Sequence, residues 1–161
     1  MRRAARAVLP PLAAFVLARG FLCLVSAGTS RPPWQPGSWS GPDSAHYLSI
    51  AKAGYSLFPC GPDDSPPGHC GNAGWMPLYP WLMRPLLSAG AASPRWVAAG
   101  VAAFCAFAAL LALWTLFLSS WPRNGPLVLT AAAFLPGQAY VHGAFPMGLL
   151  VAAALVSLHA A

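Results

Sequence analysis

The chain has 161 residues, of which 57% are hydrophobic and only 7% are charged. Soluble domains average about 25% charged residues, and disorder goes with low hydrophobicity and high charge, so a free soluble domain and a disordered tail are both excluded. The formal net charge is +6, but beyond Arg2, Arg3 and Arg6 the basic residues are scattered singly. They form no stripe of the kind that follows nucleic-acid phosphates. The composition therefore predicts a membrane protein and no nucleic-acid partner.

Four apolar segments follow one another along the chain: 8–27, 96–121, 127–141 and a run from about 145 onward. The segment 96–121 is the clearest, because it runs for 26 residues without a charged residue. A helix over its 26 residues would reach about 39 Å, more than the ~30 Å hydrocarbon core of a bilayer. The segment 127–141 is weakened at Pro136 and Gly137. We predict an all-α polytopic membrane protein with about four transmembrane helices in a single membrane domain over residues 1–161.

Arg19 interrupts the first apolar segment. Together with the adjacent Pro10 and Pro11 it favours an uncleaved helix over a cleavable signal peptide. A guanidinium in the middle of a membrane helix costs about 2.5–3.5 kcal/mol on the insertion scale. Snorkelling or an interhelical hydrogen bond is the first interpretation of Arg19, and contact with an anionic lipid-linked substrate is the second.

A large outer loop is predicted over residues 28–95. All acidic residues of the chain lie in it: Asp43, Asp63 and Asp64. Most of the loop-type glycine, proline and serine lies there as well, and irregular backbone of that composition cannot be satisfied in lipid. Three arginines in the first six residues predict that the N-terminus is inside, and Arg123 in the next inside turn agrees. The loop is therefore expected to be extracytoplasmic.

The cysteines separate by environment. Cys23 and Cys105 lie in apolar segments, where a thiol behaves as a small hydrophobic side chain. Cys60 and Cys70 flank a turn-prone stretch of the outer loop, which predicts a disulfide in an oxidising compartment. The alternative, which no paired ligand spacing supports, is a metal site made from Cys60, Asp63, Asp64, His69 and Cys70.

Two short amphipathic helices are predicted in the outer loop, lying on the membrane surface. The first occupies 43–55, where Asp43 or Ser44 can cap the free amide groups and Gly54 is a natural stop. The second starts within 75–84, where two prolines, aromatic residues and a terminal arginine suit an interfacial element better than a full span.

The same two stretches resemble a known family. Residues 43–55 have the order Asp-x-x-His-Tyr-Leu-x-Ile-Ala-x-x-Gly-Tyr, and residues 75–84 place an aromatic residue and Met before Pro-Leu-Tyr-Pro-x-Leu-x-Arg. Both motifs are similar to those of the PIG-V-type mannosyltransferases of the GT-C class, which are polytopic glycosyltransferases of eukaryotic glycolipid-anchor synthesis with actinobacterial relatives. The family's usual tryptophan before the aspartate is replaced here by Pro42.

The resemblance implies transfer of mannose from a polyprenyl-phosphate-mannose donor to a glycolipid or glycan acceptor, at the extracytoplasmic face of a bacterial cell membrane. Asp43 matches the acidic residue of the first outer loop that acts as, or near, the general base. Substrate contacts are implied at five further positions: His46, Tyr47, Lys52, Tyr79 and Arg84. The departing lipid phosphate is an anion that Arg84, Lys52 or His46 would stabilise. Neither motif demands a metal or another cofactor.

Several alternatives stay open. Asp43 can be only an N-cap, since a helix N-terminus lowers the pKa of a carboxylate rather than making it a better base. The aromatic and basic residues of the two motifs can be interfacial anchors in contact with membrane lipid. The family's later Tyr-x-Glu-type stretch corresponds to 145–148, which has no acid, and GT-C enzymes use more than four helices. We therefore expect the N-terminal part of a GT-C-like fold or a truncated relative. The competing function is a non-catalytic membrane protein whose disulfide-pinned outer loop serves assembly or binding.

Overall fold

The computed structural model describes residues 2–41, 43–61, 68–90, 92–121, 123–135 and 137–161, and the side chains from residue 7 onward within them. Helices account for most of the described chain, as the sequence predicts. The strands found in the described residues form one two-stranded antiparallel sheet in the outer loop.

Two helices are long and apolar enough to cross a membrane. The first, α1 (Arg2–Ala27), contains the apolar stretch Ala7–Ala27 of 21 residues. The second, α4 (Pro94–Leu113), continues through a π-helical turn at Trp114–Leu118, so that the apolar helix has 25 residues. These helices agree with the first two predicted spans.

The other two predicted spans are not continuous helices of spanning length. The segment predicted at 127–141 is divided into α5 (Gly125–Ala133) and α6 (Gln138–His142). A proline at 136 cannot donate to a helical ladder, and the side-chain amide of Gln138 instead donates to the Ala132 carbonyl over 2.9 Å, near the end of α5. The last helix, α7 (Met147–Ala160), has 14 residues and reaches about 21 Å, short of the ~30 Å hydrocarbon core.

The α4 helix is the centre of the fold and contacts α1, α6, α7 and the outer-loop helix α3 (Leu78–Ser88). Small residues dominate its buried face: Ala98, Ala99, Ala102, Ala106 and Ala109. The α7 helix approaches it so closely that a Cβ atom at Gly148 would lie 2.8 Å from the amide nitrogen of Ala106. Close backbone approach at small residues is the usual basis of helix association in membranes.

The outer loop contains a short 3₁₀ turn and four regular elements: α2 (Ser44–Ala53), β1 (Leu57–Pro59), β2 (His69–Gly71) and α3 (Leu78–Ser88). The two helices match the predicted pair at 43–55 and 75–84. The strands were not predicted, because each has only three residues and neither alternates between apolar and polar positions. Their register pairs Phe58 with Cys70, so the cysteine pair closes the end of this hairpin.

Candidate functional site

The start of α2 differs from a standard helix cap. Asp43 occupies the N-cap position, but its side chain makes no capping hydrogen bond, and its backbone is α-helical rather than extended. The hydroxyl of Ser44 accepts from the Gly41 amide and donates to the Ala144 carbonyl, each over 3.0 Å. The prediction that the side chain of Asp43 or Ser44 caps the helix is therefore wrong. The Ser44 hydroxyl bonds instead to Gly41 and to the segment before α7, and Asp43 lacks the extended backbone of a standard N-cap.

The predicted site residues of α2 lie on two different faces of the helix. Asp43 and Tyr47 are four residues apart and share one face. Burial raises the pKa of Tyr47, with a smaller contribution from the charge of Asp43. Lys52 follows Asp43 by nine residues, which is two and a half helical turns at 3.6 residues per turn. Lys52 therefore belongs to the opposite face. The structure brings Asp43, His46 and Tyr47 together but separates Lys52 from them.

An aromatic cluster supports the Asp43 face. His46 is exposed and stacks flat on Trp75, with ring centroids 4.8 Å apart and an interplanar angle of 12°. Tyr47 is buried and meets Trp75 edge-on at 5.2 Å and Tyr79 at 5.3 Å. Trp75 is held in turn by Tyr55, whose hydroxyl donates to the Trp75 carbonyl over 2.7 Å. Trp75 was not predicted as a site residue, although it begins the second motif.

Tyr79 is fully buried under this cluster. Its hydroxyl donates to the Ala98 carbonyl of α4 over 2.8 Å. Burial, with smaller contributions from Cys105 and Tyr47, holds the pKa of Tyr79 well above its ordinary value. The side chain therefore packs α3 against α4, and no part of its surface is left for a sugar or a phosphate.

Arg84 joins α3 to the end of α2. Its Nη2 atom donates to the Ile50 carbonyl over 3.3 Å, in the last turn of α2, where a cation interacts favourably with the helix dipole. The same group lies 3.5 Å from the position of a Cβ atom at Gly54, the residue that ends α2 with φ 87°. Arg84 thus holds the C-terminal end of α2, about 10 Å along the helix axis from Asp43 at 1.5 Å per residue.

Lys52 lines a cleft of about 780 Å³ on the other face of α2. Arg31 and Arg95 line the same cleft, together with Gln35 and several serine residues. No carboxylate of the described part of the chain contributes to its wall. We call this space the basic cleft, and Asp43 does not line it.

The guanidinium of Arg19 contacts other residues of the protein. Its Nη1 atom donates to the His142 carbonyl over 2.7 Å, and its guanidinium lies 3.5 Å from the centre of the Trp39 ring. His142 is itself fully buried and stacks on Phe15. The interhelical hydrogen bond, the first interpretation of Arg19 from the sequence, is what the structure shows, and contact with a lipid-linked substrate is not needed to explain the residue.

Cys60 and Cys70 form a disulfide with their Cα atoms 5.0 Å apart, while Cys23 and Cys105 are free. Disulfide sulfurs are not available as thiolate ligands. Among the residues that the structure describes, no group of three or more His, Cys, Asp or Glu side chains is arranged to hold a metal ion. The alternative metal site also required Asp63 and Asp64, which lie outside the described residues.

Comparison with protein-family models, curated proteins and solved structures finds no match to the chain. The resemblance to the PIG-V-type mannosyltransferases therefore depends on the two motifs at 43–55 and 75–84.

Proposed function

We propose that the chain is a membrane glycosyltransferase that moves mannose from a polyprenyl-phosphate-mannose donor to a hydroxyl group of a glycolipid or glycan. One observation carries the proposal. The carboxylate of Asp43 stands at the start of α2 without serving as its cap. A capping carboxylate is occupied by helix amides, whereas Asp43 is left able to accept a proton from a bound hydroxyl.

The reaction needs one base and one anion-stabilising group. The acceptor hydroxyl loses its proton to Asp43 while its oxygen forms a bond to the anomeric carbon of the mannose. The bond from that carbon to the donor phosphate oxygen breaks, and polyprenyl phosphate leaves with the electron pair. His46 lies one turn from Asp43, exposed on the Trp75 ring, and is better placed than Lys52 or Arg84 to donate a hydrogen bond to the departing phosphate.

Three other predicted residues have supporting roles in this proposal, while Lys52 lies on the opposite face of α2 and has none. Tyr47 and Tyr79 fix α2 against α3 and α4 through their rings and the bond to Ala98. Arg84 holds the opposite end of α2 at the Ile50 carbonyl. Preorganisation of this kind matters, because misplacing a base by 1 Å can cost about 10²-fold in rate.

The second candidate is a non-catalytic membrane protein with a binding loop. It is favoured by the hairpin of β1 and β2, which the disulfide closes. The exposed fractions of the Leu57 and Phe58 side chains on this hairpin are 64% and 53%. Apolar side chains held outward on a cross-linked hairpin suit contact with another protein or with the membrane surface.

A transfer assay separates the two candidates. Membranes that contain the chain are supplied with labelled polyprenyl-phosphate mannose, and parallel samples receive nucleotide-linked mannose under conditions that block synthesis of the lipid donor. We expect label to reach an acceptor only from the lipid-linked donor, and only in membranes that contain the chain. Absence of transfer would contradict the proposal and favour the binding loop, and transfer directly from the nucleotide donor would contradict the assignment of the donor.

A further inference from the structure

The basic cleft collects three cations without a matching anion. Arg31, Lys52 and Arg95 are exposed side chains on its wall. In the part of the chain that the structure describes, none of the three side chains forms an ion pair. Like charges gathered around one space repel each other, and a bound anion with oxygen acceptors relieves that repulsion.

The cleft lies where two candidate membrane-spanning helices end on the same side. Arg31 follows the last residue of α1, Ala27, by four positions, and Arg95 is the second residue of α4. Two exposed tryptophans accompany them in the sequence, Trp34 and Trp96. Tryptophan is enriched at the level of the lipid headgroups, and the phosphates of a bilayer lie at that same level.

From these two observations we infer that the basic cleft binds the phosphate group of an anionic membrane phospholipid. The cleft volume of about 780 Å³ is within the range of about 300–1,000 Å³ that is usual for small-ligand sites, and it accommodates a glycerol phosphate headgroup. Arg31 and Arg95 approach the phosphate from the two helix ends, and Lys52 approaches it from α2. Gln35 and the serine hydroxyls of the wall provide neutral donors.

This site is separate from the proposed transfer reaction. Asp43 lies on the other face of α2 and does not line the cleft, so lipid binding does not depend on Asp43 acting as a base. The bound lipid would tie the ends of α1 and α4 to the outer helix α2. The test of lipid binding is therefore independent of the test of glycosyl transfer.

Native mass spectrometry of the full chain in detergent tests the inference. The protein is exposed to phosphatidylglycerol or to phosphatidylcholine with the same acyl chains, and retained lipid is counted. We expect retention of phosphatidylglycerol over phosphatidylcholine. The double variant Arg31→Gln, Arg95→Gln should lower the affinity for phosphatidylglycerol by about 10- to 30-fold, since each interfacial cation contributes about a factor of five to attraction for anionic lipid.

Three controls make the result specific. Arg123→Gln removes an exposed charge at the opposite end of the long α4 helix and should leave retention unchanged. The pair Arg31→Lys, Arg95→Lys keeps both charges and should retain most of the binding. Asp43→Asn should also bind phosphatidylglycerol like the wild type.

Equal retention by the wild type and the double glutamine variant would overturn the inference. Equal retention of phosphatidylcholine and phosphatidylglycerol would do the same. Soluble glycerol phosphate and polyprenyl phosphate are offered in the same measurement as competitors of phosphatidylglycerol. Preference for glycerol phosphate would assign the cleft to a free phosphate compound, and preference for polyprenyl phosphate would assign it to the donor of the transfer reaction. Either preference would also overturn the assignment to a membrane phospholipid.

Discussion

Tyr79 connects the outer loop to α4, one of the two candidate membrane-spanning helices. Its ring centroid lies 5.3 Å from that of Tyr47 in α2, and its hydroxyl donates to the Ala98 carbonyl of α4. The sequence motif singled out this tyrosine but did not reveal that it is buried, because its burial depends on the packing of α3 against α4. The side chain packs α3 against α2 and α4 and has no exposed surface for contact with a ligand.

We expect Tyr79→Phe to lower the free energy of unfolding by about 1–2 kcal/mol, because the buried hydrogen bond to the Ala98 carbonyl is lost. Tyr55→Phe is the matched control. It removes a tyrosine-to-carbonyl bond of 2.7 Å at an exposed position, where water replaces the lost donor and the cost should be small. Denaturant unfolding of the detergent-solubilised variants provides the comparison. Equal losses for the two variants would contradict the role assigned to Tyr79.

Asp43 illustrates what sequence reasoning could and could not settle at single residues. The motif predicted its place at the start of a helix, and the structure puts it there. Whether the carboxylate caps the helix depends on the local backbone angles, which the residue types alone do not determine. Likewise, the charge of Arg19 demanded a partner, but the partner is the His142 carbonyl, 123 positions away in the sequence.

At the level of elements, local patterns predicted the helices and long-range packing determined the sites. The α2 and α3 helices follow from their prolines, glycine stop and apolar spacing, and the disulfide follows from the turn-prone stretch between two cysteines. The basic cleft could not be predicted, because Arg31 and Arg95 are distant in the sequence and meet only when α1 packs beside α4. The hairpin strands escaped prediction because they are too short to show a period.

The contact of α7 with α4 gives the element-scale prediction. Gly148→Ala should destabilise the fold by about 1–3 kcal/mol, because its Cβ atom would meet the α4 backbone at Ala106 and the helices must separate. Gly100→Ala is the control, since nothing lies within 4 Å of a Cβ atom there. In a helix interior that change should be neutral or slightly stabilising. Unfolding measurements that show Gly148→Ala to be as stable as Gly100→Ala would contradict the close packing.

At the scale of the whole molecule, two long apolar helices flank a folded outer loop. The described helices α1 and α4 satisfy the length needed for a bilayer, while the predicted third span is divided between α5 and α6. Hydropathy identified the apolar segments correctly but did not predict that division, since it averages over the proline and glycine positions. The extracytoplasmic side of the loop stays a prediction from the arginines of the N-terminus and Arg123.

Orientation is testable with single cysteines in a variant that lacks Cys23 and Cys105. Ala73→Cys lies at an exposed position of the outer loop, and Ser120→Cys lies at an exposed position beyond the far end of the long α4 helix. In intact cells, a membrane-impermeant maleimide should label Ala73→Cys at once and Ser120→Cys only after permeabilisation. The reverse pattern would place the loop on the cytoplasmic side and remove the extracytoplasmic donor from reach.

Transfer by the Asp43→Asn variant tests the account most directly. Asparagine is nearly the same size and also suits a helix start, so folding and membrane insertion should hardly change, but its amide cannot accept the acceptor's proton. We predict that transfer from polyprenyl-phosphate mannose falls by about 10²–10⁴-fold, while Asp63→Asn, which removes the same charge from the same loop, keeps wild-type transfer. Undiminished transfer by Asp43→Asn would contradict the assignment of Asp43 as the base.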